Sequence, residues 1–162
     1  RADAPRELRE RAIFWIGQSD SAGGATYLIE LYPRLQDDEL RESALFGIAQ
    51  SGGAEARQWL FARARDTAEP IDVRKDALFW AGQMGGLEIG DLRSLYETLN
   101  DPEMKEQVVF VASQDGGTGA VDFLMEVART DADQDLRENA IFWLGQTNDP
   151  RVPEFLLSLI RN

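Results

Sequence analysis

The stretch that decides the fold is Glu7–Ser19, with the sequence ELRERAIFWIGQS. Four later stretches repeat its pattern: ELRESALFGIAQS at 39–51, DVRKDALFWAGQM at 72–84, EMKEQVVFVASQD at 103–115 and DLRENAIFWLGQT at 135–147. The glutamines that close the copies, Gln18, Gln50, Gln83, Gln114 and Gln146, are separated by 32, 33, 31 and 32 residues. A fixed period of this size is typical of a stacked array of helical repeats.

Each copy has the apolar spacing of an amphipathic helix, which we call helix A. In the first copy, Leu8, Ala12, Trp15 and Ile16 share one side of a 3.6-residue wheel and are expected to be buried. A turn rich in glycine, or the segment Asn-Asp-Pro, follows each copy, and a second apolar segment, helix B, comes after the turn. The sequence therefore predicts one domain, residues 1–162, made of five helical pairs at about 7–36, 39–66, 72–99, 103–130 and 135–161.

Local side chains also predict where helices start and stop. Asp37, Asp101 and Asp133 stand just before helices A and are expected to be N-caps. Pro33 lies late in the first helix B and is expected to kink or end it, because proline has no backbone N–H to donate.

Composition excludes several classes of function. The 162-residue chain is 28% charged and 43% hydrophobic, an ordinary globular balance. It has no cysteine and no histidine, which excludes thiolate and imidazole catalysis and zinc-finger spacings. Asp and Glu are frequent, but no carboxylate pair stands out from the repeat pattern. We therefore predict no catalytic residue, no metal site and no cofactor, and a protein that is not an enzyme.

The residues that recur distinguish between repeat families. The Trp-Leu-Gly-Tyr pattern of tetratricopeptide units and the Thr-Pro-Leu-His of ankyrin units are absent. What recurs is an acid, a Leu/Val-Arg pair, a small apolar residue, and a large apolar residue followed by a small one. This pattern resembles HEAT repeats, in particular the short HEAT-like kind of bacterial proteins and of the phycobilin lyase group. The resemblance implies an all-α fold, a right-handed α-α solenoid of about ten helices with helices B on its concave side, used as a protein-interaction scaffold.

Two polar rows recur once in every unit, and both are expected to be structural. The basic row comprises Arg9, Arg41, Arg74, Lys105 and Arg137, and it is expected to pair with Asp37, Asp101 and Asp133 in the turns between units. The alternative for the basic row is a site that binds anions. The five glutamines are expected to hold the turn after helix A by bonding its last carbonyl groups, and their alternative role is to contact a partner.

The aromatic residues of helix A are the most informative departure from the family pattern. Trp15, Trp80 and Trp143 are expected on the buried face, with Gly47 and Val111 in their place in the second and fourth units. Beside them, every copy carries a phenylalanine well away from the core centre: Phe14, Phe46, Phe79, Phe110 and Phe142. Either these rings pack sideways on the next helix A, or they form an apolar stripe that docks a partner.

The preferred hypothesis for function is a non-catalytic protein-binding scaffold, or the structural arm of a larger bacterial protein. Its binding surface would be the concave face of helices B, where Arg57, Arg63 and Arg65 form a candidate basic patch for an acidic peptide or phosphate. The alternatives are a nucleic-acid-binding HEAT-like module, which the net charge of −12 disfavours, and a bilin-lyase-like subunit.

The partner is expected to be another protein or peptide rather than a nucleic acid. Because the chain begins at Arg1 instead of methionine, the partner could also be a missing part of its own chain. No apolar run approaches the ~20 residues of a membrane-spanning helix. A soluble protein is expected, and both a cytoplasmic and an exported location remain open.

Overall fold

The structure is a computed structural model that describes residues 4–19 and 23–161. Within these ranges the backbone forms ten α-helices and contains no strand. The helices are α1 (Arg6–Gln18), α2 (Gly23–Leu31), α3 (Asp38–Ser51), α4 (Ala54–Arg65), α5 (Ile71–Gln83), α6 (Ile89–Thr98), α7 (Pro102–Asp115), α8 (Thr118–Thr130), α9 (Gln134–Gly145) and α10 (Val152–Ile160). The prediction of an all-α fold with about ten helices is confirmed, and the arrangement is consistent with a HEAT-like α-solenoid.

The starts of three helices A follow directly from aspartate side chains. Asp37 Oδ1 accepts hydrogen bonds from the backbone N–H groups of Glu39 and Leu40, at 2.9 and 3.3 Å. Asp101 and Asp133 cap α7 and α9 in the same manner. These bonds satisfy N–H groups that have no partner within the helix. The predicted N-caps of α3, α7 and α9 are therefore confirmed.

The first helix B ends where proline requires it to end. Helix α2 stops at Leu31 and continues as a 3-10 turn, Tyr32–Arg34, that contains Pro33. The turn that precedes α2 includes residues 20–22, which lie outside the described residues.

The helices form two compact units, Arg1–Met84 and Gly85–Asn162. In the first unit, helices A pack side by side, α1 on α3 and α3 on α5, and α4 packs against α5. In the second unit, α7 packs on α9 and both contact α8. The prediction that all the repeats form one domain stays a prediction.

The core combines the apolar side of the helices A, at the spacing that the sequence predicts, with apolar residues of the helices B such as Leu60 and Phe123. In α3, Leu40, Ala44 and Ile48 are fully buried, and the equivalent residues of α5, α7 and α9 are buried as well. The first copy differs, because Leu8 is 60% exposed and Ala12 is also exposed. Among the described residues, α1 has a neighbouring helix A on one side only, so its outer side is not covered.

None of the described helices is both long enough and apolar enough to cross a lipid bilayer. This result agrees with the absence of a membrane-spanning run in the sequence.

Two glycines allow α1 and α3 to approach each other closely. A Cβ atom added at Gly17 would lie 2.7 Å from the Cα atom of Gly47, a distance that real Cβ contacts do not reach. A Cβ atom at Gly47 would lie 2.7 Å from Leu28 Cδ1. The second copy of the repeat has glycine where the first, third and fifth have tryptophan, and at this position Leu28 of α2 and the backbone of α1 occupy the space beside the chain.

Replacing Gly17 by alanine is expected to destabilise the protein by about 1–3 kcal/mol, since the backbone of α3 has to move to make room. The matched control is Gly145→Ala at the equivalent position of α9, where an added Cβ meets nothing within 4 Å. Alanine is a better helix former than glycine, so the control is expected to be neutral or stabilising. Urea unfolding followed by circular dichroism measures both. If Gly17→Ala and Gly145→Ala changed the stability equally, the close contact between α1 and α3 would be contradicted.

Candidate functional site

The phenylalanine row lies at the surface of the structure. Phe46, Phe79 and Phe110 are half-buried, and Phe14 and Phe142 are 42% and 57% exposed. In the sequence, each phenylalanine comes directly after a residue on the apolar side of its helix. Successive residues of an α-helix are rotated by about 100°, so the phenylalanine side chain points away from the core. Sideways packing therefore covers these rings only in part, and a large aromatic surface remains in contact with solvent.

Tryptophan rings hold the phenylalanines in place. In the first unit, the Trp80 ring meets Phe46 and Phe79 edge to face, with ring centroids 5.0 and 4.9 Å apart. In the second unit, Trp143 meets Phe110 and Phe142 in the same geometry, at 5.4 and 5.0 Å. Edge-to-face pairs at these distances are favourable beyond the area they bury. Each tryptophan thus bridges its own helix A and the preceding one.

The prediction that the tryptophans lie on the buried face is wrong. Trp15 is 69% exposed, and Trp80 and Trp143 are half-buried. Small and medium side chains fill the space between neighbouring helices A, so the large indoles pack over the seam against the phenylalanines. Trp15 has no preceding helix A among the described residues, and its ring rests on Phe14 alone of the phenylalanine row.

The helices A of the first unit enclose a groove of about 560 Å³ between these rings. It crosses α1, α3 and α5. We call it the aromatic groove, and its lining residues are Glu10, Arg11, Phe14, Glu42, Ser43, Phe46, Asp76, Phe79 and Trp80. Its volume is in the range of small-molecule and peptide-binding clefts.

The charge of the aromatic groove is negative. Three carboxylates and one guanidinium line it. Burial raises the pKa of Glu42, and the nearby carboxylates of Asp76, Asp72 and Glu39 raise it further. Burial and Asp72 also raise the pKa of Asp76, although Lys75 acts in the opposite direction. Repulsion between partly buried acids is unfavourable for the folded protein, and such acids occur often at functional sites.

The sequence prediction missed these acids, although a signal for them is present. A glutamate stands four residues before the phenylalanine in four of the five copies: Glu10, Glu42, Glu106 and Glu138. Residues four apart are neighbours on one face of a helix. The recurrence of Glu and Phe at that spacing therefore indicates a face that combines aromatic rings with carboxylates.

Two members of the basic row make hydrogen bonds between elements, but not with the predicted partners. Arg41 Nε donates to the carbonyl oxygen of Leu35 at 2.8 Å, and Arg74 Nε donates to that of Ala64 at 2.9 Å. The Ala64 carbonyl lies in the last turn of α4, where no helical partner is available, and the Leu35 carbonyl lies directly after the 3-10 turn. The predicted pairing with Asp37, Asp101 and Asp133 is wrong, because those carboxylates cap their own helices. Arg9 is exposed, and Arg137 is half-buried.

Two members of the basic row also contact a cluster made of a tyrosine and a carboxylate. The carboxylate comes from the turn that leads to the next helix A. Arg41 lies 3.8 Å from Glu69 Oε2, which accepts a hydrogen bond from the Tyr32 hydroxyl at 3.1 Å. In the second unit, Lys105 and the Tyr96 hydroxyl meet at Asp131. Burial opposes ionisation of Asp131, but these donors lower the pKa of its carboxyl below the usual range.

The glutamine row does not hold the turns as predicted. Gln18, Gln50, Gln83, Gln114 and Gln146 are all exposed. The hydroxyl groups that follow three of them bond the last carbonyls of helix A instead: Ser19 to Ile16, Ser51 to Gly47 and Thr147 to Leu144, at 2.7 to 2.9 Å. A short hydroxyl side chain reaches the carbonyl of its own last turn more readily than a long amide does. The glutamine amides are thus available at the surface.

Two of the three arginines of the predicted basic patch lie on nearly opposite sides of α4. Successive residues of an α-helix are about 100° apart, so Arg63 lies about 160° around α4 from Arg65. Arg63 is within 3.3 Å of Asp66 and 3.6 Å of Glu69, and its guanidinium stacks over Trp59. The charge of Arg63 is therefore largely neutralised within the first unit. Arg57 is half-buried, and Arg65 is exposed beside the Phe61 ring.

The helices and the exposed aromatic groove together define a helical-repeat protein with a surface suited to binding. The family model of the PBS lyase HEAT-like repeat matches residues 136–162, which contain most of α9 and all of α10. The match supports the identification of the chain as a HEAT-like repeat protein. Repeats of this fold are generally non-catalytic scaffolds. None of the curated proteins compared with the chain matches it.

The acids of the groove give a prediction for stability. The raised pKa of Glu42 means that its ionisation disfavours the folded state, and this effect grows as the pH rises through the folded pKa. Glu42→Gln is therefore expected to raise the melting temperature at pH 7 by about 1–2 °C, with a smaller gain near pH 4. Calorimetry at the two pH values measures the change. A lower melting temperature of the variant at pH 7 would contradict the repulsion.

Proposed function

We propose that the protein is a non-catalytic protein-interaction module and that the aromatic groove is its docking surface. One observation carries the proposal: a wall of phenylalanine and tryptophan rings remains partly exposed although its rings pack on one another edge to face. Exposed apolar patches that are rimmed by polar residues are typical of interaction sites. The HEAT-like repeat class supports the same function.

The rings are well suited to provide the binding energy. Aromatic side chains dominate the energetics of most interfaces and have few rotatable bonds to immobilise. Phe46 and Phe79 are already fixed against Trp80 before any partner arrives, so little additional ordering is needed. A partner that covers the groove gains buried apolar area without a large entropic cost.

The face of helices B is the less favoured surface in the first unit. Its charged side chains are engaged in ion pairs and ring stacking, as Arg63 shows. Binding of nucleic acid is also less favoured, because the aromatic groove is lined with carboxylates and the chain carries a net charge of −12.

A library of random peptides displayed on phage tests the proposal. Peptides enriched on the wild-type protein are expected to bind Phe14→Ala and Phe46→Ala at least tenfold more weakly, since each substitution removes an apolar wall of the groove. The matched control is Arg65→Ala, which changes the exposed end of α4 and is expected to leave affinity unchanged. Circular dichroism verifies that each variant is folded.

Two results would contradict the proposal. One is a library that yields no specific binder. The other is a set of binders that depend on Arg57, Arg63 or Arg65 but not on the phenylalanines, which would place docking on the face of helices B.

A further inference from the structure

We infer that the occupant of the aromatic groove is a basic amphipathic helix that lies across α1, α3 and α5. This inference rests on the proposed function and adds the chemical class of the partner. Two features on the groove point to it: the spacing of the phenylalanine rings and the negative charge beside them.

The usual spacing of packed helices is close to the distance that a partner helix advances in seven residues. Phe14, Phe46 and Phe79 occupy equivalent positions on three successive helices A, with α1 packed on α3 and α3 on α5. Packed helices are about 8–10 Å apart. A partner helix advances about 10.5 Å in seven residues. Apolar side chains repeated every seven residues would therefore meet one ring after another.

The two borders of the phenylalanine row differ in charge. On the N-terminal side of the rings, about one turn away, lie the carboxylates Glu10, Glu42 and Asp76. Arg6 lies 3.6 Å from Glu10, and Arg11 is the one base among the lining residues, so the negative charge is concentrated at Glu42 and Asp76. On the C-terminal side, four residues after each ring, lie the uncharged amides Gln18, Gln50 and Gln83, which are exposed. A complementary helix carries Lys or Arg along one flank of its apolar stripe and neutral polar residues along the other.

The acids of the groove favour a cationic partner over the other candidates. Glu42 and Asp76 are partly withdrawn from water and close to further carboxylates, so a lysine or arginine placed between them relieves repulsion. A second copy of the chain carries the same net charge of −12 and is repelled over long range. Nucleic acid and anionic lipid are repelled by the same carboxylates.

Three synthetic peptides of about 18 residues, about 27 Å long as helices, test the inference. The first peptide has leucine at every seventh residue and further leucines one helical turn from these, which together form an apolar stripe. Lysine and arginine lie along one flank of that stripe. The second has glutamate in place of every base, and the third has the composition of the first in scrambled order. Titration calorimetry is expected to detect binding of the first peptide only, with an affinity that falls as salt is added.

Variants of the protein then locate the contact. Glu42→Gln and Asp76→Asn are each expected to lower the affinity for the basic peptide about two- to fivefold. Phe46→Ala is expected to lower it at least tenfold. The matched control is Glu30→Gln, which makes the same change of charge on α2 in the same unit and is expected to have no effect. Glu42→Gln is expected to stabilise the free protein while it weakens the complex, so partial unfolding does not explain the loss.

Several outcomes would overturn the inference. Equal binding of the acidic peptide, or no effect of Glu42→Gln and Asp76→Asn, would show that charge does not select the occupant. Dimerisation in sedimentation experiments that Phe46→Ala abolishes would make a second copy the occupant, and binding to phosphatidylserine vesicles would make it a membrane. If the phage library yields neutral peptides that require the phenylalanines, the docking surface stands and only the basic class of partner is wrong. If neither library nor basic peptide binds, both proposals fail.

Discussion

The structure depends on the side-by-side packing of helices A through narrow apolar seams. Ala44 in α3 and Ala77 in α5 are fully buried among the packed helices. Between α1 and α3 the seam narrows further, to contact between two glycines. Close-packed interiors tolerate little added volume. The remaining large apolar residues of each helix A therefore have to lie above the seam, at the surface.

This constraint explains why an aromatic surface and a well-packed core occur on the same helices. Trp80 is only half-buried, and its ring contacts the phenylalanine rings of two neighbouring helices A. The rings of this wall pack on one another without being fully buried. The repeat then multiplies the arrangement, and the second unit builds its own cluster around Trp143.

The carboxylates beside the rings of the aromatic groove lower the stability of the folded protein. Partial burial and neighbouring acids raise the pKa of both Glu42 and Asp76. Elsewhere in the same unit, charges are paired closely: Glu69 receives Arg41, Arg63 and the Tyr32 hydroxyl. A fold that pairs its acids in the turns but leaves acids in mutual repulsion in a groove has the electrostatic pattern of a binding surface.

The sequence by itself determined those features that depend on interactions between residues close together in the chain. The period of the Glu7–Ser19 pattern gives the repeat, the apolar spacing gives the helices, and Asp37, Asp101 and Asp133 mark helix starts, because capping involves residues two or three apart. The existence of the phenylalanine row was also visible in the sequence. Only the tertiary structure decided that the tryptophans are partly exposed, that Arg41 and Arg74 bond carbonyls of the preceding segment, and that a groove forms beside the acids. Those results depend on the distance between neighbouring helices, which the small residues at the seam set and which no single helix encodes.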